Sequence, residues 1–180
     1  MHKFSEFRPA PGYTGAGMDS SWIPVTVAAI AAGPAHTDPV LLLRSMRDEQ
    51  LVGLPLGAAE AGSIVLALEG AVSSEPQTHD LFVTLFELHG LRARHVMIYG
   101  GDGQGRYARL SYSGRSANYS LRVRPSDGIA IAVRMGAPIY LHSSLCNRES
   151  FDASAEVSAG GYSYLPLDRA QSARSEGPSG

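Results

Sequence analysis

The chain has 180 residues, a net charge of −2 and a hydrophobic fraction of 44%, which predicts one domain with an ordinary core. This net charge is not the strongly basic charge that indicates nucleic-acid binding. No apolar run approaches the length of a membrane span, and the single Cys146 excludes a disulfide framework. The first residues lack the apolar core of a signal peptide, so we expect a cytoplasmic protein with no membrane contact.

The first third of the chain predicts three strands after a flexible lead-in. Residues 1–21 hold several prolines and glycines with little periodicity, which indicates a flexible N-terminal segment. The β-branched and small residues of 22–32 predict a central strand, and the apolar runs 40–44 and 51–56 predict two more. Because Pro55 cannot donate a hydrogen bond to a neighbouring strand, the third strand should lie toward a sheet edge.

The middle of the chain predicts two helices and a three-strand meander. Apolar residues recur at helical spacing over 58–68 and over 79–89, and Thr78 is the predicted N-cap of the second helix. Three alternating runs follow, separated by glycine-bearing turns. They cover residues 92–99, 106–112 and 118–124.

A chain reversal follows at Arg124-Pro125-Ser126-Asp127. Pro125 ends the strand, since it has no N–H and holds the preceding residue extended. Ser126 is the predicted N-cap of a buried helix, and Asp127 falls in its first turn, where the helix dipole favours a negative charge. A guanidinium, a hydroxyl and a carboxylate are therefore predicted to converge where a strand ends and a helix begins.

The end of the chain completes the predicted organisation. A short strand over 138–142 is the last element of a domain predicted to span 22–150, and the composition of 151–180 predicts a disordered tail. The fold class is α+β, with a largely antiparallel, mixed sheet and two or three helices packed on it.

Charge is distributed unevenly along the sequence. Residues 47–90 hold one cation and seven acids, whereas residues 91–135 hold eight arginines and two acids. Either the two segments neutralise each other across the fold, or they form a dipolar surface that attracts an anion to one side.

Arginines on two neighbouring strands form the first candidate site. Tyr107 and Arg109 share one face of their strand, and Arg122 and Arg124 share one face of the next strand. If these faces coincide, the guanidinium groups would bind phosphate, and Tyr107 would stack on a base. The alternative is a solvated sheet face whose arginines pair with the acids of the first half.

The start of the predicted second helix is the second candidate site. Backbone donors at a helix N-terminus suit an anion, so Thr78 would contact substrate, His79 would act as general base, and Asp80 would bind a metal or orient water. Together with Asp127 and Glu60, Asp80 supplies carboxylates for Mg²⁺ or Mn²⁺. The alternative is structural, with a capping threonine and an acid matched to the helix dipole.

The motifs occur in the order of a known family. Gly57-Ala58-Ala59-Glu60-Ala61, Thr78-His79-Asp80-Leu81 and Arg124-Pro125-Ser126-Asp127-Gly128 follow one another at matching spacing. In these motifs the sequence closely resembles the bifunctional nuclease (BFN) domain family of bacteria and plants, over about residues 23–145. The resemblance implies a compact, often oligomeric α+β domain that cleaves both DNA and RNA.

This resemblance, with its departures, leads to the functional prediction. Arg122 stands where many members have an acidic residue, which removes a possible metal ligand and indicates a divergent bacterial member. We expect a nuclease that hydrolyses phosphodiester bonds of DNA or RNA with low sequence specificity, as a possible homo-oligomer. The alternative is a non-catalytic regulatory module of the same fold that binds an anion or a partner. The predicted site residues are His79, Asp80 and Asp127 for catalysis, Thr78, Tyr107, Arg109, Arg122, Arg124 and Ser126 for substrate, and Glu60, Asp80 and Asp127 for metal.

Overall fold

An eight-stranded mixed sheet with helices packed on it forms the described part of the chain in the computed structural model. The structure describes residues 19–33, 38–71, 75–100, 105–146 and 163–166. The strands are β1 (Trp22–Ala32), β2 (Val40–Ser45), β3 (Leu51–Pro55), β4 (Arg92–Gly100), β5 (Arg106–Ser113), β6 (Asn118–Val123), β7 (Ile139–His142) and β8 (Ser163–Pro166). The helices are α1 (Ala58–Glu69), α2 (Thr78–Leu88), α3 (Pro125–Met135) and the single turn α4 (Ser143–Cys146).

The strands follow the order β3-β2-β1-β7-β4-β5-β6 across the sheet. The long strand β1 also pairs with β8, which lies along residues 29–32, whereas β7 lies along residues 22–25. Among the described pairs only β4 and β7 run parallel. The predicted α+β fold with a largely antiparallel, mixed sheet is confirmed, and β3, which contains Pro55, lies at one end of this order, as predicted.

Alternation along the strands gives the sheet two different faces. On β5, Ala108 and Leu110 are buried in the core formed with the helices, while Arg109 between them is exposed on the other side. Helix α3 lies so close to the sheet that a Cβ at Gly128 would be 3.0 Å from Val96 Cγ1. We call the covered surface the helix side and the opposite surface the far face.

Two predicted helix caps are wrong. Thr78 is the first residue of α2, and Gln77 precedes it as the N-cap. Arg124 and not Ser126 is the N-cap of α3, because Pro125 takes the first helical position, where its fixed φ suits the helix and its missing N–H is not needed. Ser126 is therefore turned inward and is buried.

One strand lies where the composition predicted a disordered tail. Residues Ser163–Pro166 form β8 and pair antiparallel with β1. The rest of the segment 151–180, and all but the last three residues of the segment 1–21, lie outside the described residues. None of the described helices combines the length and the apolar character needed to cross a bilayer.

Candidate functional site

Each of the three longer helices carries an acid as its third residue, namely Glu60 in α1, Asp80 in α2 and Asp127 in α3. Glu60 Oε2 accepts a hydrogen bond from the Gly57 backbone N–H at 2.9 Å, and Asp80 Oδ2 accepts one from the Gln77 N–H at 2.8 Å. The helix dipole also favours negative charge at this position. Hydrogen bonds to the local backbone are therefore enough to explain why Glu60 and Asp80 stand at these positions, without reference to function.

Arg124 joins the start of α3 to the start of α1. Its Nη1 lies 2.6 Å from Glu60 Oε1, and its Nε and Nη2 donate to the two Asp127 carboxylate oxygens at 2.8 and 2.9 Å. Ser126 Oγ donates to the same Glu60 oxygen at 3.1 Å. Hydrogen bonding to Asp127 is the main cause that raises the pKa of Arg124, and the same bond lowers the pKa of Asp127. The Arg124 side chain remains 67% exposed, so it is available to a ligand.

His79 ties α2 to the same cluster. Its Nε2 lies 3.3 Å from Asp127 Oδ1, and its Nδ1 lies 3.0 Å from Ser63 Oγ on α1. Because a carboxylate only accepts hydrogen bonds, the network places a proton on Nε2, and in the neutral ring Nδ1 then accepts from the Ser63 hydroxyl. The His79 side chain is 19% exposed. The structure therefore brings His79 and Asp127 together, although the sequence presents them in separate motifs.

Arg134, near the end of α3, extends the network to the start of α2. Its Nε donates to Asp80 Oδ1 at 2.7 Å, and its Nη2 donates to Gln77 Oε1 at 3.0 Å and to Ser63 Oγ at 3.2 Å. The Arg134 side chain is only 9% exposed. The bond from Arg134, followed by the Gln77 N–H, lowers the pKa of Asp80. One continuous chain of hydrogen bonds consequently runs through α1, α2 and α3.

The carboxylates predicted as metal ligands are all bound to guanidinium groups. Glu60 and Asp127 both contact Arg124, and Asp80 contacts Arg134. Within the described residues, no group of three histidine, cysteine or carboxylate side chains is arranged to hold a metal ion. The guanidinium charge next to each carboxylate would also repel a cation. This donor set, as arranged, does not fit Mg²⁺ or Mn²⁺.

The predicted arginine strip is divided between the two faces of the sheet. Arg109 and Arg122 are direct cross-strand partners, and the Arg122 guanidinium lies 3.8 Å from the centre of the Tyr107 ring. Arg124 does not join them, because β6 ends at Val123 and the Arg124 side chain pairs with acids of the helix side. The far face therefore holds two of the three predicted guanidinium groups.

A cavity of about 460 Å³ lies on the far face beside Arg109. Its lining includes Trp22, His95, Tyr99, Arg109, Ser111 and His142. Burial, reinforced by the positive charge of Arg94, lowers the pKa of His95, so this ring is neutral near pH 7. The sequence patterns did not predict a cavity here, because its walls come from strands far apart in the chain.

Three members of the helix-side network, Ser63, Gln77 and Arg134, were not among the predicted site residues. Ser63 is buried on α1, as are Ala61, Ile64 and Leu68, but it lies on a different side of the helix from these three. The apolar stripe of α1 therefore gave no signal for Ser63. Arg134 gave no signal either, because cations are common in the last turn of a helix.

The fold and this network define a class of protein, a small α+β domain in which carboxylate, histidine and arginine side chains link three helices on one side of a mixed sheet. The family model described as bifunctional nuclease domain matches residues 41–154. The chain therefore belongs to the bifunctional nuclease domain family, and the resemblance seen in its motifs is confirmed.

Two mycobacterial proteins are similar to the chain. They are uncharacterized protein MT1877 of Mycobacterium tuberculosis strain CDC 1551 / Oshkosh and uncharacterized protein Rv1829 of strain ATCC 25618 / H37Rv. Each is 33% identical over 121 residues, which cover 67% of this chain and 72% of the relative. Neither relative has an assigned reaction in its description, so the family supplies a nuclease-like function in general terms only.

Proposed function

We propose that this chain hydrolyses phosphodiester bonds of DNA or RNA, with low sequence specificity, at the cluster formed by His79, Asp127 and Arg124. The observation that carries the proposal is the 3.3 Å contact between His79 Nε2 and Asp127 Oδ1 beside an exposed guanidinium. A carboxylate next to the basic nitrogen of a histidine can hold a water molecule between the two groups, which is a suitable geometry for general base catalysis. Membership of the bifunctional nuclease family supports the choice of a phosphodiester as substrate.

Arg124 is the group that would contact the scissile phosphate. Within the described part of the chain, the contacts of Arg124 with Glu60 and Asp127 use three of its five guanidinium N–H groups. Two N–H groups are left to donate to phosphate oxygens. Thr78, exposed at the first position of α2, lies next to His79 in sequence and would contribute its hydroxyl to the same substrate. Ser126 is buried and bound to Glu60, so it would act by holding that carboxylate in place.

His79 would activate the attacking water at Nε2. The Asp127 side chain is 30% exposed whereas Ser63 is only 6% exposed, so water can enter the network between His79 and Asp127 more readily than beside Ser63. With the ring proton moved to Nδ1, Ser63 Oγ accepts it as a hydrogen bond, and Nε2 is free to take a proton from water. The water oxygen then bonds to phosphorus, the bond to the sugar oxygen breaks, and that oxygen takes a proton from solvent.

No step of this reaction is routed through a metal ion. The carboxylates predicted to bind Mg²⁺ or Mn²⁺, those of Glu60, Asp80 and Asp127, are bound to guanidinium groups as described above. A metal requirement, if there is one, is detected by comparing cleavage with and without EDTA.

Cleavage assays with single- and double-stranded DNA and RNA, each with and without EDTA, test the proposal. We expect wild-type cleavage to fall at least about 100-fold in a His79→Ala variant, because general base catalysis contributes that much or more. The matched control is His89→Ala, which removes an exposed histidine at the other end of α2 and should cleave as the wild type does. If His79→Ala retains full activity, the general base is misassigned; if the wild type cleaves no substrate, the enzyme proposal fails.

A second candidate function is a non-catalytic module that regulates or binds an anionic partner. The observation that favours it is that every predicted catalytic carboxylate is already paired with an arginine. These pairs are sufficient to hold the three helices together without any catalytic role. Saturable binding without turnover in the same assays would favour this function. For both candidates we propose a cytoplasmic location and a homo-oligomer, and light scattering after size exclusion would determine the oligomeric state.

A further inference from the structure

The far face of the sheet carries a row of aromatic side chains across four neighbouring strands. Trp22 on β1 lies opposite His142 on β7, with ring centroids 5.0 Å apart, and Tyr99 on β4 lies opposite Tyr107 on β5. Because β4 and β7 run parallel, with Ile98 opposite Leu141, Tyr99 and His142 are side by side. The aromatic row is thus continuous from β1 to β5.

Two arginines lie in the next row of the same face. Arg109 is opposite Met97 on one side and opposite Arg122 on the other. Within the described residues no ion pair joins Arg109 or Arg122 to a carboxylate, and no acid lines the cavity. Two like charges in direct cross-strand contact are destabilising unless an anion compensates them. Among the described residues, the far face therefore carries positive charge that is not paired with a carboxylate, next to an aromatic surface.

We propose that the cavity beside Arg109 binds a nucleoside phosphate, with the base against the aromatic row and the phosphate on Arg109 and Arg122. The volume of about 460 Å³ lies within the range of small-molecule sites. Three strand spacings separate Arg109 from Trp22, roughly 14 Å at the spacing of a sheet. A ligand with an aromatic ring at one end and a phosphate at the other matches both rows at once.

The side chains on this face suit that ligand better than a plain anion. Aromatic rings and guanidinium planes both stack on bases, and the Arg122 plane is already stacked on Tyr107. Ser111 and Ser120, also in the lining, supply hydroxyl groups that can bond to a sugar or a base edge. An inorganic phosphate would use the arginines alone and leave the aromatic row without a partner.

This nucleotide site is separate from the proposed catalytic cluster, which lies on the helix side. It does not require that the chain cleave nucleic acid. A nucleoside phosphate can reach this site in two forms, as a free mononucleotide or as the phosphorylated end of a single strand. The test below distinguishes them.

The chain has a single tryptophan, Trp22, which lines the cavity and therefore reports on ligand binding through its fluorescence. Full-length protein is titrated with AMP, UMP, adenosine and inorganic phosphate. We expect AMP or UMP to bind at least about tenfold more tightly than adenosine or phosphate, because only the nucleotides engage both rows. A 5′-phosphorylated trinucleotide, added to a His79→Ala background so that it stays intact, completes the series. If it binds as tightly as AMP the site receives strand ends, and if it does not the site is specific for free nucleotides.

Variants locate the site. Arg109→Gln should weaken nucleotide binding about tenfold, and Tyr99→Leu, which keeps apolar bulk, should weaken it to a similar extent. Arg115→Gln removes the same charge from an exposed turn and is the matched control. Circular dichroism and thermal melting confirm that each variant is folded.

Three results would overturn the nucleotide site. One is equal affinity for phosphate and AMP, and another is unchanged nucleotide affinity in folded Arg109→Gln and Tyr99→Leu. The third is a combination of two observations: the wild type is a homodimer that dissociates in the Tyr99→Leu variant, and Trp22 fluorescence in the wild type does not respond to nucleotide. The far face would then be a contact between two copies of the chain. Loss of cleavage in His79→Ala with nucleotide binding intact leaves this site standing, so the two proposals fail independently.

Discussion

Replacing Arg134 with methionine tests the helix-side network at its most buried charge. Methionine retains an unbranched apolar stem that can fill the same space, but it removes the guanidinium. The change leaves Asp80 without its charged partner and takes one donor each from Ser63 Oγ and Gln77 Oε1. It does so at a side chain that is only 9% exposed, where water cannot easily take over these bonds.

The expected loss is about 3 kcal/mol of the free energy of unfolding. Asp80 is 39% exposed and can be rehydrated, so its lost pair is assigned about 1 kcal/mol and not the roughly 3–5 kcal/mol of a fully buried pair. The acceptors on Ser63 and Gln77 add about 1 kcal/mol each. For a chain of this length, the total corresponds to a decrease in Tm of about 6–12 °C.

Urea unfolding followed by circular dichroism measures this change, and thermal melting provides a second estimate. Arg115→Gln is the control, because it removes an exposed arginine and should alter stability by no more than about 0.5 kcal/mol. If Arg134→Met is as stable as this control, the hydrogen bonds of Arg134 do not hold the helices together. The magnitudes assigned to Ser63 and Gln77 would then be wrong as well.

Three further predictions concern pH and glycine positions. Guanidinium groups lower the pKa of Asp80 and Asp127 below the ordinary value of 3.8. Both carboxylates therefore stabilise the fold fully when the pH is above 3.8, and urea titrations should show the free energy of unfolding falling as the pH drops below this value. Gly62→Ala, on the exposed side of α1 with nothing within 4 Å of the new Cβ, should raise the free energy of unfolding by about 1 kcal/mol in the same assay. Gly128→Ala should instead lower it by up to about 2 kcal/mol, since the clash at 3.0 Å with Val96 outweighs the helix propensity gained, and a stabilised variant would contradict the close packing of α3.

Much of the fold was predictable because local patterns decide it. The period-two alternation of 106–112 and 118–124 was enough to predict two paired strands, and apolar spacing over 58–68 predicted α1 to within one residue at its end. The parallel pairing of β4 with β7 was not predictable in this way, since it depends on where a distant strand is inserted in the sheet. β8 was missed because its few apolar residues are surrounded by serine, alanine and glycine.

Sequence motifs named several residues of the candidate site, but they did not show its arrangement. The helix-start motifs identified His79 and Asp127, yet 48 positions separate them in the chain, and only the packing of α2 against α3 brings them into contact. Arg122 and Arg124 are two residues apart and were expected on one face of a strand. Their side chains lie on different faces because the strand ends between them, at Val123, and side chains alternate between faces only within a strand.

Among the three acids at helix starts, Asp127 is the one that capping does not explain. Glu60 and Asp80 each accept the backbone N–H of their own N-cap residue, so a structural role accounts for their position. Asp127 makes no such bond, since its oxygens bind the Arg124 side chain and His79. Asp127 binds the side chain of its own N-cap residue and also a histidine of α2, so capping explains only part of its position and a role next to the base His79 explains the rest. This difference is why the catalytic proposal is centred on Asp127 and not on the acid of the Thr78-His79-Asp80 motif.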